Sequence, residues 1–159
     1  MKKIKLFCDS SVNPQSKIGI AAFLYYEDDF KNESKIYTKQ FEDTSSTKLE
    51  LQTFLWAIKE LDKFDKFEVY TDCQNIFSLL NRREKLESNN YKTSTNKEVK
   101  NQILYKEFYI VIDKNECNFI KVKGHKKSSE KDDIDKIFSK VDKASRQALR
   151  KHLNIASME

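Results

Sequence analysis

The sequence predicts an α/β fold: a five-stranded mixed sheet flanked by α-helices. Three observations predict it. Short apolar or alternating stretches separated by polar turns fill the first forty or so positions, as strands do. From Leu49 onward the apolar residues recur at helical spacing, and the two periods then interleave towards the C-terminus. The 159 residues also include 11 Phe, 7 Tyr and 1 Trp, enough bulky apolar side chains to build a core and to exclude a disordered chain.

The elements follow in order. Ile4–Asp9 alternates Ile4, Leu6 and Cys8 with Lys5, Phe7 and Asp9, a strand pattern. Asn13-Pro14, inside Ser10–Lys17, marks a turn. Ile18–Tyr25 is a near-continuous apolar run suited to a buried strand. After the polar Glu27–Lys35, Ile36–Phe41 makes a third strand, so the chain opens as an antiparallel meander. Leu51, Phe54, Leu55, Ile58 and Leu61 then line one side of a helix from about Thr47 to Lys63, with Thr44-Ser45-Ser46-Thr47 as capping candidates. Phe67–Asp72 is a strand, Gln74–Arg82 a helix, Arg83–Lys97 a polar stretch and Val99–Ile112 a further helix. Cys117–Lys123 is the fifth strand. Ile134, Ile137, Phe138, Val141, Ala144 and Ala148 give a closing helix its apolar face.

Composition narrows the class. One domain over residues 1–159 is expected at this length. Two Gly and one Pro exclude collagen-like and Gly/Ser-linker architectures. No apolar run approaches the ~20 residues of a membrane span, and the basic N-terminus lacks the apolar segment of a secretory signal. Cys8, Cys73 and Cys117 are odd in number and widely spaced, which fits reduced thiols in a cytoplasmic protein better than a disulfide framework. The net charge of +5 conceals an asymmetry: residues 1–72 sum to −2 and residues 73–159 to +7. A basic second half suits a polyanionic partner, although a solvated Lys-rich surface has the same composition.

Two predicted strands end in aspartate, Asp9 and Asp72. If these strands are adjacent and parallel, both carboxylates project at one sheet edge, where open α/β sheets place ligands. Glu50 opens the intervening helix beside the face of Phe54, Ala57 and Leu61. Asp142, near Val141 and Ala144, can add a fourth carboxylate. Such acids repel one another and lose hydration unless one is protonated or divalent cations neutralise them. Oxygen-only ligation suits Mg²⁺ or Mn²⁺, and two such ions ~3.5–4 Å apart activate water for phosphodiester hydrolysis. Taken singly, each acid has a plainer reading. Asp9 can begin the turn, Glu50 can close a capping box with Thr47, Asp72 can cap a helix, and Asp132 to Asp135 can form a solvated helix start.

Phe7-Cys8-Asp9-Ser10-Ser11, Ser46-Thr47-Lys48-Leu49-Glu50-Leu51, Tyr70-Thr71-Asp72-Cys73-Gln74 and Val122-Lys123-Gly124-His125 resemble the four successive motifs of type 1 ribonuclease H. Order and element both match, over roughly Lys3 to Lys151. The resemblance implies a ribonuclease H-like fold, cleavage of the RNA strand of RNA–DNA hybrids and two Mg²⁺ ions held by Asp9, Glu50, Asp72 and Asp142. It implies that His125 assists proton transfer or product release, and that Asn13, Ser46 and Gln74 contact the hybrid. It also places Lys92 to Lys100 where some members carry a basic protrusion. Asp142 is preferred as the last ligand because Val141-Asp142-Lys143-Ala144-Ser145-Arg146 is similar to the family's closing helix. Asp135, 10 residues after His125 against 17 for Asp142, stays open as the alternative. The chain departs from the family's pattern in having Ser10 where Gly is usual. A monomer is expected. The rival expectations are a DNA nuclease of the same superfamily, resolvase- or integrase-like, and a non-catalytic hybrid-binding module.

Overall fold

The computed structural model describes residues 2–123, 129 and 131–158. Nine elements run in the order β1 (Lys3–Asn13), β2 (Ile18–Glu27), β3 (Tyr37–Phe41), α1 (Ser46–Glu60), β4 (Lys66–Thr71), α2 (Gln74–Ser88), α3 (Gln102–Lys114), β5 (Glu116–Lys121) and α4 (Asp133–Met158). The strands form one five-stranded sheet in the order β3-β2-β1-β4-β5. β1 to β3 pair antiparallel, as a meander must, while β4 lies parallel to both β1 and β5. The mixed sheet expected from the sequence is therefore present.

Alternation along β1 divides the core in two. Ile4, Leu6 and Cys8 point towards α1, α2 and α3, where they pack with Leu51, Phe54, Ile76, Leu79 and Phe108. Phe7 points the other way, and with Leu24 and Tyr70 it packs under Phe138 and Val141 of α4. Burying side chains of this size stabilises the fold by about 1.5–3 kcal/mol each. Because Asp9 shares the parity of Phe7, strand geometry alone aims it at α4 and away from the three-helix face.

Several boundaries differ from the sequence reading. β1 does not stop at Asp9 but runs to Asn13, because β2 keeps pairing with it from Ser10↔Ala21 to Asn13↔Ile18. Asp9 is thus no turn residue. The turn belongs to Asn13, whose side-chain oxygen accepts from the amides of Gln15 at 3.1 Å and Ser16 at 2.9 Å. α2 continues past Arg82 to Ser88 because residues 83–87 are strong helix formers and Leu86 is buried against the core. α3 begins at Gln102, not Val99, after Asn101 takes a left-handed conformation at φ 66°. α4 extends beyond Ala148 to Met158.

Glycine matters at one described position. A Cβ on Gly19 of β2 would overlap Leu49 Cδ2 and sit 3.2 Å from Thr44 Cγ2. The bare backbone lets the first turn of α1 lie directly on the sheet. That close approach brings Glu50, the next residue, to the sheet's edge.

Candidate active site

The β1–β4 ladder leads to the acids. Lys5 pairs with Glu68, Phe7 pairs with Tyr70, and two residues further along each chain stand Asp9 and Asp72. The parallel register therefore sets the two aspartates level with each other. Below them Phe7 and Tyr70 stack with ring centroids 4.4 Å apart and planes 5° from parallel, a dry floor that limits hydration from beneath. β4 ends at Thr71 while β1 runs on, so Asp9 and Asp72 stand where the parallel half of the sheet gives out.

α1 and α4 approach this edge from opposite faces. Glu50 arrives on α1, half-buried, and its Oε2 accepts from the Cys73 thiol at 3.0 Å. A capping box between Thr47 and Glu50 does not form. Ser45 caps α1 instead, accepting from the Lys48 amide at 3.3 Å, which leaves the Glu50 side chain to the cleft. α4 brings Asp142 within hydrogen-bonding reach of Asp9, while Arg146 Nη2 donates to Asp142 Oδ2 at 2.7 Å. Asp9, Glu50, Asp72, Cys8 and Cys73 line a cleft of about 10 Å³, the space of roughly one water.

The electrostatics are those of acids without enough positive charge. Burial, then the Asp72 charge and Asp142, push the Asp9 carboxyl up to about 8, against the lowering effect of the Ser10 amide. Burial also raises Glu50, reinforced by Asp72 and opposed by the thiol of Cys73. Burial and the neighbouring carboxylate hold Cys73 well above the ordinary thiol range, so it is a proton donor and not a thiolate. Among the described residues no three carboxylates, thiols or imidazoles converge on a single point. The acids are linked in pairs: Asp9 with Asp142, Asp9 with Asp72, and Glu50 with Asp72.

The structure thus gathers Asp9, Glu50, Asp72 and Asp142 at one edge. Asp135 lies two turns up α4 and is engaged there: its amide donates to Asp132 Oδ1 at 2.8 Å, and the Asp132 amide donates back to Asp135 Oδ2 at 3.2 Å. This reciprocal cap corrects the expectation of a solvated helix start, because Asp135 is 7% exposed. Ser46 is exposed on the first turn of α1. Gln74 opens α2, exposed, with its side-chain oxygen accepting from Lys121. Asn13 lies at the far end of the β1–β2 hairpin. His125 lies outside the described residues.

Three neighbours went unread in the sequence. Composition reads Cys73 only as a reduced thiol, although its place between Asp72 and a helix start puts a donor at the cap position. Arg146 stands one turn after Asp142, a spacing that already announces an ion pair. Lys121 meets Gln74 only through the β4–β5 pairing, which no local signal reveals.

Comparison with known proteins agrees with this architecture. The RNase H family model matches residues 1–148. The chain belongs to the RNase H family. A ribonuclease H of Caldicellulosiruptor saccharolyticus is 33% identical over 129 residues, covering 79% of this chain and 86% of its own. A ribonuclease H of Clostridium botulinum is 28% identical over 142 residues, covering 86% and 93% respectively. Among solved structures, the foamy viral protease-reverse transcriptase in complex with RNA/DNA hybrid superposes with a TM-score of 0.68 at 11% identity. It covers 92% of this chain and 19% of that one, and shows the shared fold. The RNase H family is generally dependent on divalent metal ions. Among the described residues no helix is long and apolar enough to cross a membrane.

Proposed function

We propose that this chain is a single-domain, monomeric, cytoplasmic endonuclease that hydrolyses the RNA strand of RNA–DNA hybrids, with Asp9, Glu50, Asp72 and Asp142 holding two Mg²⁺ ions. The observation that carries this reading is the approach of Asp9 and Asp72 just beyond the last β1–β4 rung, with Glu50 and Asp142 closing on them from the two faces of the sheet. The relatives named ribonuclease H support the activity.

The donor set fits divalent cations. It is all carboxylate oxygen, crowded enough that burial and like charge push Asp9 up to about 8, and Arg146 pairs with Asp142 at its α4 side. Mn²⁺ satisfies the same oxygen chemistry and is the expected substitute. When bound, such ions neutralise the phosphodiester and lower the pKa of an attacking water. The chain's own residues do the rest. Asp9 and Asp72, fixed by the β-ladder, define where the reacting phosphate sits. Glu50 is steadied by the Cys73 thiol and Asp142 by the Arg146 guanidinium, so each carboxylate enters the cleft in a fixed orientation. Ser46 and Gln74, exposed at the starts of α1 and α2, and Asn13 at the hairpin contact the hybrid. His125 assists proton transfer or product release. 2′-Hydroxyls in a wide minor groove distinguish the RNA strand, and phosphates supply most of the affinity.

The test is incubation with labelled hybrid, duplex DNA and duplex RNA in Mg²⁺ and in EDTA. Mg²⁺-dependent cleavage confined to the hybrid's RNA strand, leaving 5′-phosphate ends, is the expected outcome. Cleavage of duplex DNA, or hybrid binding with no turnover in Mg²⁺ or Mn²⁺, contradicts it.

A further inference from the structure

Beside the acid cleft lies a second hollow that this mechanism does not use. It is about 340 Å³ and is lined by Ser11 and Val12 of β1 and by Arg146, Leu149 and Arg150 of α4. Ser11 has the parity of Phe7 and Asp9 on β1, so this hollow lies on the α4 face of the sheet. It is tied to the acids through Arg146, which lines it and donates to Asp142, the carboxylate within hydrogen-bonding reach of Asp9.

Two guanidiniums stand here one turn apart, on one face of α4, a like-charge spacing that disfavours the helix unless an anion sits between them. Arg146 has Asp142 as its partner. Arg150 is exposed, and among the described residues no acid or hydrogen-bond acceptor holds it. The strand side is anchored where Ser11 Oγ and Ser145 Oγ lie 3.0 Å apart, with Ser145 fully buried. That contact fixes the spacing between β1 and α4, so the hollow is held open by the fold. Arg150 also lies beyond residues 1–148, the span of the family match.

We propose that Arg146 and Arg150 form a binding site for a backbone phosphate of the substrate next to the one held at the carboxylates. Arginine suits this role because its planar fork grips a phosphate through two parallel hydrogen bonds. The inference rests on the hybrid-nuclease reading. It adds a charge contact on the α4 side of the cleft, which fixes the register of the strand relative to Asp142.

Arg150→Gln isolates the contact, since Arg150 touches none of the carboxylates. The variant is compared with the wild type on hybrids carrying a single uncharged methylphosphonate, moved one position at a time along each strand. In the wild type, one linkage near the scissile phosphate is expected to raise KM when neutralised. In Arg150→Gln the KM for unmodified hybrid is raised to a similar extent, kcat is nearly unchanged, and that same linkage no longer matters. The salt dependence of hybrid binding should fall by about 0.7–0.9 in log–log slope, one phosphate contact. Arg150→Lys should restore part of the slope, and Lys66→Gln, at the opposite end of the sheet, should leave it unchanged. If Arg150→Gln keeps the wild-type salt slope and methylphosphonate profile, the site is overturned. Wild-type enzyme that fails to cleave unmodified hybrid would instead remove the underlying reading, so the two failures are distinct.

Discussion

The two ends of the β1–β4 ladder carry opposite electrostatic designs on the same face of the same two strands. At the amino end, Glu68 accepts from Lys5 at 2.9 Å, from Tyr70 at 2.9 Å and from Lys3 at 3.3 Å, and these contacts, led by Lys5, hold its carboxyl below the ordinary range. At the carboxyl end, Asp9 has Asp72 and Asp142 as neighbours and, among the described residues, no cation beside it, and burial with the Asp72 charge pushes it up to about 8. Only the stacked Phe7–Tyr70 rung separates the two. The amino end is complete within the chain. The carboxyl end becomes electrostatically complete only when positive charge arrives from outside. A sheet this small has room to arrange a lysine beside Asp9, as it does beside Glu68, so the contrast marks the carboxyl end as a site and the amino end as scaffold.

The most severe way to break the contrast is to neutralise the carboxyl end. Asp9→Asn and Asp72→Asn should each abolish hybrid cleavage while circular dichroism remains native. Asp9→Asn should also melt at a higher temperature than the wild type in EDTA at neutral pH, since it removes a charge that the fold disfavours. A drop in melting temperature would contradict this.

The next test separates the two aspartates of α4. Asp142→Asn should abolish turnover and leave stability nearly unchanged. Asp135→Asn should retain turnover but lose about 1 kcal/mol from its reciprocal cap with Asp132, read by denaturant unfolding. Loss of activity in the second variant alone would move the fourth ligand to Asp135.

Smaller effects surround the site. Cys73→Ala removes the thiol donor to Glu50 and should weaken Mg²⁺-dependent activity by ~10–100-fold, whereas Cys73→Ser keeps a donor and should stay near wild type. Least of all, Glu68→Gln at the paired end should cost about 1 kcal/mol or less in stability and leave kcat and KM unchanged, because its partners remain partly solvated.

Much of this contrast could be read in the sequence, and the reasons are local. Alternation in Ile4–Asp9 and Phe67–Asp72 is sufficient to place Asp9 on a strand and Asp72 at a strand's end, and the register then sets them level. Helical spacing put Glu50 and Asp142 on inward faces. What alternation could not show is where a strand stops: β1 outran Asp9 because β2 kept offering hydrogen bonds, a tertiary effect. The charged residues 83–87 concealed a helix whose anchor, Leu86, is a single buried residue. The choice between Asp135 and Asp142 was open in the sequence because both lie on one side of the helix. Their different surroundings, a cap for one and Asp9 for the other, exist only once α4 is laid on the sheet.

The central claim is that the Asp9 end awaits a divalent cation, and stability against pH with and without Mg²⁺ tests it most directly. Asp9 titrates higher in the folded chain, about 8, than its ordinary 3.8, so the stability it lends is full below the lower value and is lost as pH rises through the higher one. In EDTA the melting temperature should therefore fall between pH ~5 and ~9, and Mg²⁺ should restore more of it the higher the pH. Asp9→Asn should show a smaller fall, the remainder coming from Glu50, and a smaller restoration. An EDTA curve that is flat or rising over that range, or a Mg²⁺ effect equal in wild type and Asp9→Asn, would contradict the account.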